Sequence, residues 1–269
     1  MQPKLPAVHS LMDFNSLMES FEENENGDFK FKCTKFLLVD KDEHTAWIGS
    51  IEIPKKQVSL EQAISCLRRV PDTEIYPPSL PDADAVDASN FTLADDIWLK
   101  RPNIAVYNQV AGTSVIADEF LEEIAVYQRI QQNPHPNLVE FKGCLQKNGR
   151  IVGVLLRRYS MTLSTRVEGY GHAPVPIALL LEGIRAGVKH LHHLGFAHND
   201  LNPENIVLDE QDRPVIIDMG SAKLFGSELS QMGTPDWNDG FLEVSSKVND
   251  EIGLQKIEEW LLSCKGKIA

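Results

Sequence analysis

An eight-residue polar loop, His198-Asn199-Asp200-Leu201-Asn202-Pro203-Glu204-Asn205, precedes the apolar run Val215-Ile216-Ile217, and Asp218 follows that run thirteen residues after Asn205. An aspartate in such a loop can take a proton from an incoming hydroxyl. An asparagine and a second aspartate can supply the hard oxygen ligands that Mg²⁺ requires beside a nucleotide's phosphates. The pattern therefore reads as a phosphoryl-transfer loop, with Asp200 as base and Asn205 and Asp218 as metal ligands. Between the loop and Asp218, Ile206 to Asp209 and Arg213 to Ile217 are expected to form two short strands around the turn Glu210-Gln211-Asp212. Any one of these pieces is common by chance, and an aspartate after an apolar strand often only caps a turn. Three pieces in register carry the argument.

The chain is long enough, at 269 residues, for one bilobal domain or two small ones. Its formal net charge of −13 disfavours nucleic acid and anionic membrane as partners. Cys33, Cys66, Cys144 and Cys264 are far apart, with no C-x-x-C pair, so reduced thiols are expected rather than a zinc ribbon or a disulfide framework. No apolar run approaches the roughly 20 residues of a membrane helix, and the N-terminus lacks a signal-like pattern. An intracellular, cytoplasmic location is the expectation.

Residues 1–28 are polar and acidic and are expected to be a loose lead-in. Phe29 to Val39 and Thr45 to Ile53 predict a β-hairpin. Ser59 is placed to cap a helix running to Pro71, with Ile64, Leu67 and Val70 on one face. Tyr76-Pro77-Pro78-Ser79-Leu80-Pro81 and the acidic residues Asp82 to Asp87 form the best linker candidate. Further on, Phe141 to Leu145 and Arg150 to Leu156 predict a second hairpin, around Lys147-Asn148-Gly149. Ile177, Leu180, Leu181, Ile184, Val188 and Leu191 keep helical spacing. His190, His192 and His193 on that helix share no carboxylate or cysteine spacing and are given no role.

H-N-D-L-N-P-E-N followed by Asp218-Met219-Gly220 resembles the catalytic loop and D-F-G segment of protein kinases, at the family's own spacing. Other segments share the resemblance. Ile97-Trp98-Leu99-Lys100 resembles the V-A-I-K strand, and Phe120 to Ile130, followed by His135-Pro136-Asn137-Leu138-Val139, resembles the helix that partners it. Gly233-Thr234-Pro235-Asp236-Trp237 resembles the end of an activation segment, although no A-P-E follows. Asn249 to Leu262 resembles the helix whose aspartate braces the catalytic loop. The wording of these motifs is similar to a group of short fungal kinase-like proteins.

The resemblance implies an α+β, bilobal protein kinase-like fold with a degenerate small lobe and a truncated large lobe, preceded by an N-terminal α/β extension. The expected domains are 1–75 for the extension, 76–158 for the small lobe and 159–269 for the large lobe. It implies ATP and Mg²⁺ as cofactors, with Lys100 on the phosphates. Counting back from Val126, Tyr127 and Ile130 makes Glu123 the partner of Lys100. Glu122 is the alternative, and a merely solvated pair is the plain one.

Several positions depart from the family pattern. No G-x-G-x-x-G precedes Lys100, so the phosphate cradle is degenerate or replaced. Asn199 and Asn202 stand where protein kinases carry an arginine and a lysine, a pattern shared with small-molecule kinases. Arg157 and Arg158 fall at the hinge, where they either snorkel outwards or narrow the adenine slot. The favoured expectation is an atypical phosphotransferase with a small-molecule acceptor. A pseudokinase binding a protein partner is the alternative, and a fold repurposed for another group transfer in secondary metabolism is a further one.

Overall fold

Strand Phe29–Asp40 (β2) alternates so that Thr34, Phe36 and Leu38 turn to one side and are buried, and the N-terminal sheet is assembled around it. The computed structural model describes residues 5–24, 27–80, 84–169, 176–230, 233–240 and 243–264. The chain divides into two compact units, one of Met1–Pro78 with Pro102–Asp118 and one of Ser79–Arg101 with Glu119–Ala269.

In the first unit, Ser16–Glu23 (β1), β2, Thr45–Ile51 (β3) and Arg68–Arg69 (β4) form an antiparallel sheet in chain order. Phe14, Phe36, Leu38, Val58 and Ala63 fill the core over one face. Each large side chain buried there is worth roughly 1.5–3 kcal/mol. The lead-in expectation fails at β1, which pairs with β2 from Ser16↔Leu37 to Glu23↔Phe29. As an edge strand largely open to solvent, it has no need of an apolar pattern.

Ser59 caps Leu60–Ser65 (α1) through a capping box with Gln62, but the helix ends there and does not reach Pro71. Arg68 and Arg69 instead pair with Ile48 and Trp47, so sheet pairing overrides the helical spacing of Leu67 and Val70. After β4 come the short helices Asp72–Ile75 (α2) and Tyr107–Val110 (α3). Glu74 Oε2 accepts from the Tyr107 hydroxyl at 2.6 Å and from the Gly112 N–H at 2.7 Å, which ties the later segment to this unit. Burial, then Glu74, pushes the Tyr107 hydroxyl up to about 12. The extension expected to close at residue 75 thus takes in Pro102–Asp118 as well.

The second unit holds Ala85–Asp87 (β5), Ile97–Lys100 (β6), helix Val115–Gln132 (α4, from Glu119 on), Phe141–Lys147 (β7) and Arg150–Arg157 (β8). Its sheet has the order β5-β7-β8-β6. The linker expected over 76–87 is partly ordered structure. Ile75 and Tyr76 are buried, and β5 runs parallel to Cys144–Gln146, while residues 81–83 lie outside the described residues.

The helical half follows. Met161–Thr162 (β9), Leu163–Glu168 (α5), Ile177–His193 (α6), Phe196–Ala197 (β10), Ile206–Leu208 (β11), Pro214–Ile216 (β12), Lys223–Leu224 (β13) and Lys247–Ser263 (α7) come in that order. One core joins the halves: Ile124, Tyr127 and Phe141 pack in the same cluster as Leu180, Ile184, Ile216 and Ile257. The small-lobe and large-lobe segments expected to part at residue 158 therefore share one unit. Asn137 and Val139 stitch them: the Asn137 carbonyl accepts the Ile216 N–H and the Val139 N–H donates to the Ile216 carbonyl, both at 2.9 Å, while the Asn137 side-chain amide donates to the Pro214 carbonyl at 2.7 Å. Cys33, Cys144 and Cys264 are free and buried, Cys66 is free and half-buried, and burial pushes the Cys144 thiol up to about 11. Among the described residues no helix is long and apolar enough to cross a membrane.

Candidate active site

Lys100 ends β6, Glu123 sits on α4, and Asp218 follows β12, and the fold of the second unit brings all three together. The Lys100 ammonium pairs with Glu123 Oε1, and its Nζ lies 2.7 Å from Asp218 Oδ1. Burial disfavours that ammonium, but Tyr127, Glu123 and Asp218 around it outweigh burial and raise its pKa. Burial likewise opposes the charged Asp218, and Lys100, with the Gly220 N–H at 3.1 Å, lowers its pKa in spite of it. Of the two glutamates left open by the sequence, Glu122 turns the other way and pairs with Lys223. Helical geometry explains the choice, since adjacent residues on a helix face about 100° apart and only one can point at β6.

Tyr127, one turn after Glu123, is fully buried and stacks on Phe141 with ring centroids 5.9 Å apart. Its hydroxyl donates to Glu123 Oε1 at 2.8 Å and accepts from the Met219 N–H at 3.2 Å. It therefore couples the helix to the segment that follows Asp218, a role that an apolar reading of this position misses. Burial raises the phenol's pKa well above its ordinary value, which keeps the hydroxyl a donor. Tyr127→Phe keeps the stack and orphans the buried Met219 N–H, so a loss of about 1–3 kcal/mol is expected. Urea unfolding of the variant measures this, with amide exchange at Met219 as the local check.

The loop 198–205 is held from several sides. His198 is fully buried; its Nδ1 accepts the Asp200 N–H at 3.3 Å, so Nε2 carries the hydrogen and donates to the Ile217 carbonyl at 2.9 Å. Asp250 in the first turn of α7 accepts the N–H groups of His198 at 2.9 Å and Asn199 at 2.8 Å. His192, given no role from the sequence, lies with Nε2 2.7 Å from the same carboxylate. Asn199, in the left-handed region at φ 63°, donates its amide to Ala197 O, Ser221 O and Ser245 Oγ and accepts from Asn249.

Both oxygens of Asp200 are engaged: Oδ2 accepts from Asn205 Nδ2 at 2.9 Å and Oδ1 from the Thr234 N–H at 2.7 Å. Asn202 donates to Thr234 Oγ1 at 3.1 Å, linking the loop to the segment that resembles an activation segment. Residues 231–232 of that segment lie outside the described residues. Because Asn205 Nδ2 faces two acceptors on Asp200, its Oδ1 is left for another partner.

Lys100, Asn205 and Asp218 line one cavity of about 580 Å³, together with Trp98, Leu156 and Arg158. Asp200 does not line the cavity itself and is joined to it through its hydrogen bond with Asn205. Arg157 reaches out to Glu210 at 2.9 Å, whereas Arg158 lies over the Trp98 ring at 5.6 Å. β6 is an edge strand, and among the described residues no strand pairs with its outer side. No group of three or more His, Cys, Asp or Glu side chains fit to hold a metal exists among the described residues. One carboxylate and one amide oxygen on a shared cavity are a sparse, hard donor set, which suits a cation only when other oxygen ligands come with it.

A sequence comparison decides the family. The protein kinase domain profile matches residues 104–239, just over half of the 269-residue chain. The chain belongs to the protein kinase family. It is 30% identical over 122 residues to serine/threonine-protein kinase TAO1-B of Xenopus laevis, and 32% identical over 111 residues to serine/threonine-protein kinase TAO3 of Rattus norvegicus. These matches cover 44% and 40% of this chain and 12% of each relative, so the chain corresponds to about an eighth of the relatives' length. Lys100 and β6 lie before the first residue of the family match. Their assignment to the kinase layout rests on the contacts with Glu123 and Asp218.

Proposed function

We propose that this kinase-family chain is an Mg²⁺- and ATP-dependent phosphotransferase that moves the γ-phosphoryl group to a hydroxyl acceptor. The observation that carries the reading is the joint placement of Lys100, Asn205 and Asp218 on one cavity, with Asp200 hydrogen-bonded to Asn205. Asp200 takes the acceptor's proton as the new O–P bond forms and the bond from the γ-phosphorus to ADP breaks. Lys100, fixed by Glu123, holds the nucleotide's phosphates. Asn205 Oδ1 and Asp218 are the side chains that would hold Mg²⁺, which when bound offsets the negative charge of the phosphates.

We place a small-molecule acceptor ahead of a peptide. Loop positions 199 and 202 carry neutral amides, and both are committed to internal hydrogen bonds. They offer no free cation to a phosphorylated segment or to the transferring group. The serine/threonine kinases it resembles supply the competing acceptor class. Turnover of γ-labelled ATP on a peptide library and on a cell metabolite extract decides between them; peptide labelling that depends on Asp200 would sink the small-molecule preference.

With a donor set this sparse, Mg²⁺ affinity should depend on nucleotide. ATP with Mg²⁺ at about 100 times its Kd should add about 2.7 kcal/mol to stability, read by thermal shift, and Mg²⁺ alone almost nothing. Asp218→Asn should remove most of the Mg²⁺-dependent part, and an unchanged Mg·ATP affinity would remove Asp218 from the metal site. A second reading, a kinase-fold binding module, is favoured by the outer edge of β6, which no strand pairs with among the described residues. It predicts ligand-induced stabilisation without Asp200-dependent turnover.

A further inference from the structure

Lys35, Ile48, Ser50 and Arg68 share one face of the N-terminal sheet. The pairings Lys35↔Ser50 and Ile48↔Arg68 set these residues opposite one another on β2, β3 and β4, and Ile48 and Ser50 are two apart on β3. This is the face away from Phe36 and Leu38. With Asn108 on α3 and Ala111 just after it, the four line a cavity of about 410 Å³ that lies wholly within the first unit. Its volume falls in the roughly 300–1,000 Å³ of small-molecule sites.

The charge of this cavity runs against that of the chain. The chain carries a formal net charge of −13, yet Lys35 and Arg68 are the charged residues of the lining and no carboxylate joins them. Neighbouring cations are paired, Lys32 with Glu22 at 3.2 Å and Arg69 with Asp72 at 2.6 Å. Among the described residues, the Lys35, Arg68, Ser50 and Asn108 side chains have neither an ion pair nor a hydrogen bond. Burial and Glu74 raise the pKa of the Tyr107 hydroxyl and Arg68 works against them, so the guanidinium stands near α3. Glu74 is engaged by the Tyr107 hydroxyl and the Gly112 N–H and makes no ion pair with Arg68.

The backbone adds a donor. In an antiparallel sheet the N–H and C=O of one residue point to the same neighbour, and the side alternates along the strand. The Val70 N–H donates to the Ala46 carbonyl at 2.8 Å, so Ala46, Ile48 and Ser50 all present their backbone groups to the β4 side. β4 pairs only as far as Arg68, and residue 66, which would face Ser50, is still the C-cap of α1. The Ser50 N–H therefore has no ladder partner at the point where Ser50 lines the cavity.

We propose that this cavity is a binding site for the phosphate group of a small ligand. Lys35 and Arg68 supply the charge, and the Ser50 N–H and hydroxyl and the Asn108 amide supply further hydrogen bonds. One guanidinium fork satisfies a planar carboxylate, whereas donors arriving from three strands and a helix suit the oxygens of a tetrahedral phosphate. Ile48 and Ala111 give an apolar wall for an organic body beside it. The site stands independently of the phosphotransfer reading.

The test is an NMR titration of the full chain, followed at the Ser50 and Asn108 amides, with inorganic phosphate, phenyl phosphate and chloride at matched ionic strength. Phosphate should move both amides saturably, and chloride should not. Arg68→Met and Lys35→Met should each weaken phosphate by about tenfold to a hundredfold. Lys100→Met, in the other unit, should leave the response of both amides unchanged. Neither Arg68 nor Lys35 has a partner to lose, so the variants are expected to melt with the wild type. Asn108→Ala probes the same site from α3 without touching the sheet, and should weaken phosphate about two- to tenfold.

Tighter binding of phenyl phosphate than of inorganic phosphate assigns the site to a phosphomonoester, and equal affinity assigns it to the free anion. Amide shifts no larger for phosphate than for chloride overturn the site. Wild-type phosphate affinity in Arg68→Met, Lys35→Met and Asn108→Ala overturns it as well.

Discussion

Asp200→Asn is expected to lower turnover by about 10²–10⁴-fold while leaving ATP affinity within a few-fold, because a positioned base acts on the chemical step and not on nucleotide binding. The carboxylate accepts from Asn205 Nδ2 and from the Thr234 N–H, and both are donors. An amide at position 200 can satisfy only one of them with its oxygen and must turn its own NH₂ towards the other. The substitution therefore also costs about 1 kcal/mol of stability, small against the expected rate effect. Single-turnover transfer from γ-labelled ATP to the identified acceptor measures the first quantity, and thermal melting the second. Turnover within threefold of wild type would remove Asp200 as the base. A pattern in which kcat falls and KM for ATP holds would separate loss of the base from collapse of the loop.

Singling out Asp200, Asn205 and Asp218 needed no long-range information, because they sit on one short loop and one strand end at fixed spacing; the structure places Asn205 and Asp218 on one cavity, with Asp200 hydrogen-bonded to Asn205. The choice between Glu122 and Glu123 did need it, since both fit the helix and only the arrival of β6 against one face decides. The hydroxyl of Tyr127 was invisible for a similar reason. Its helical position reads as apolar core, and only the buried Met219 N–H gives the oxygen something to do.

Errors of fold arose where non-local pairing overrode local pattern. Leu67 and Val70 follow Ile64 at helical spacing, yet Arg68 and Arg69 between them pair with β3. Ser16–Glu23 carries three glutamates and looked unstructured, but an edge strand can be acidic because β2 satisfies one side of it and water the other. β5 fell inside the acidic end of the expected linker, and its parallel partner lies more than fifty residues away in the sequence. Each of these three misses is a strand pairing.

Asp250→Ala is expected to have the largest effect on stability of any single substitution near the site. The residue is fully buried, and its carboxylate serves three donors: the His198 N–H at 2.9 Å, the Asn199 N–H at 2.8 Å and His192 Nε2 at 2.7 Å. Alanine leaves all three without an acceptor in a site closed to water. At about 1–3 kcal/mol for each buried unsatisfied donor, and allowing for partial relaxation, the loss should be about 3 kcal/mol or more. That lowers Tm by roughly 6–12 °C.

Asp250→Asn keeps one acceptor oxygen and should lose about half as much. The neighbourhood permits little relaxation, because a Cβ on Gly253, one turn further along α7, would come within 2.8 Å of Leu201 Cβ and 2.9 Å of its carbonyl oxygen. The helix therefore cannot move onto the loop to fill the gap. Asn199 holds a left-handed backbone at φ 63° that its N–H bond to Asp250 helps maintain, and Asp200 is the next residue. Turnover of Asp250→Ala, measured well below its own Tm, should fall with the loosened loop, and amide exchange at His198 and Asn199 should quicken before global unfolding. A variant that melts early but turns over normally below its Tm would mean that Asp250 supports the fold without setting the position of Asp200.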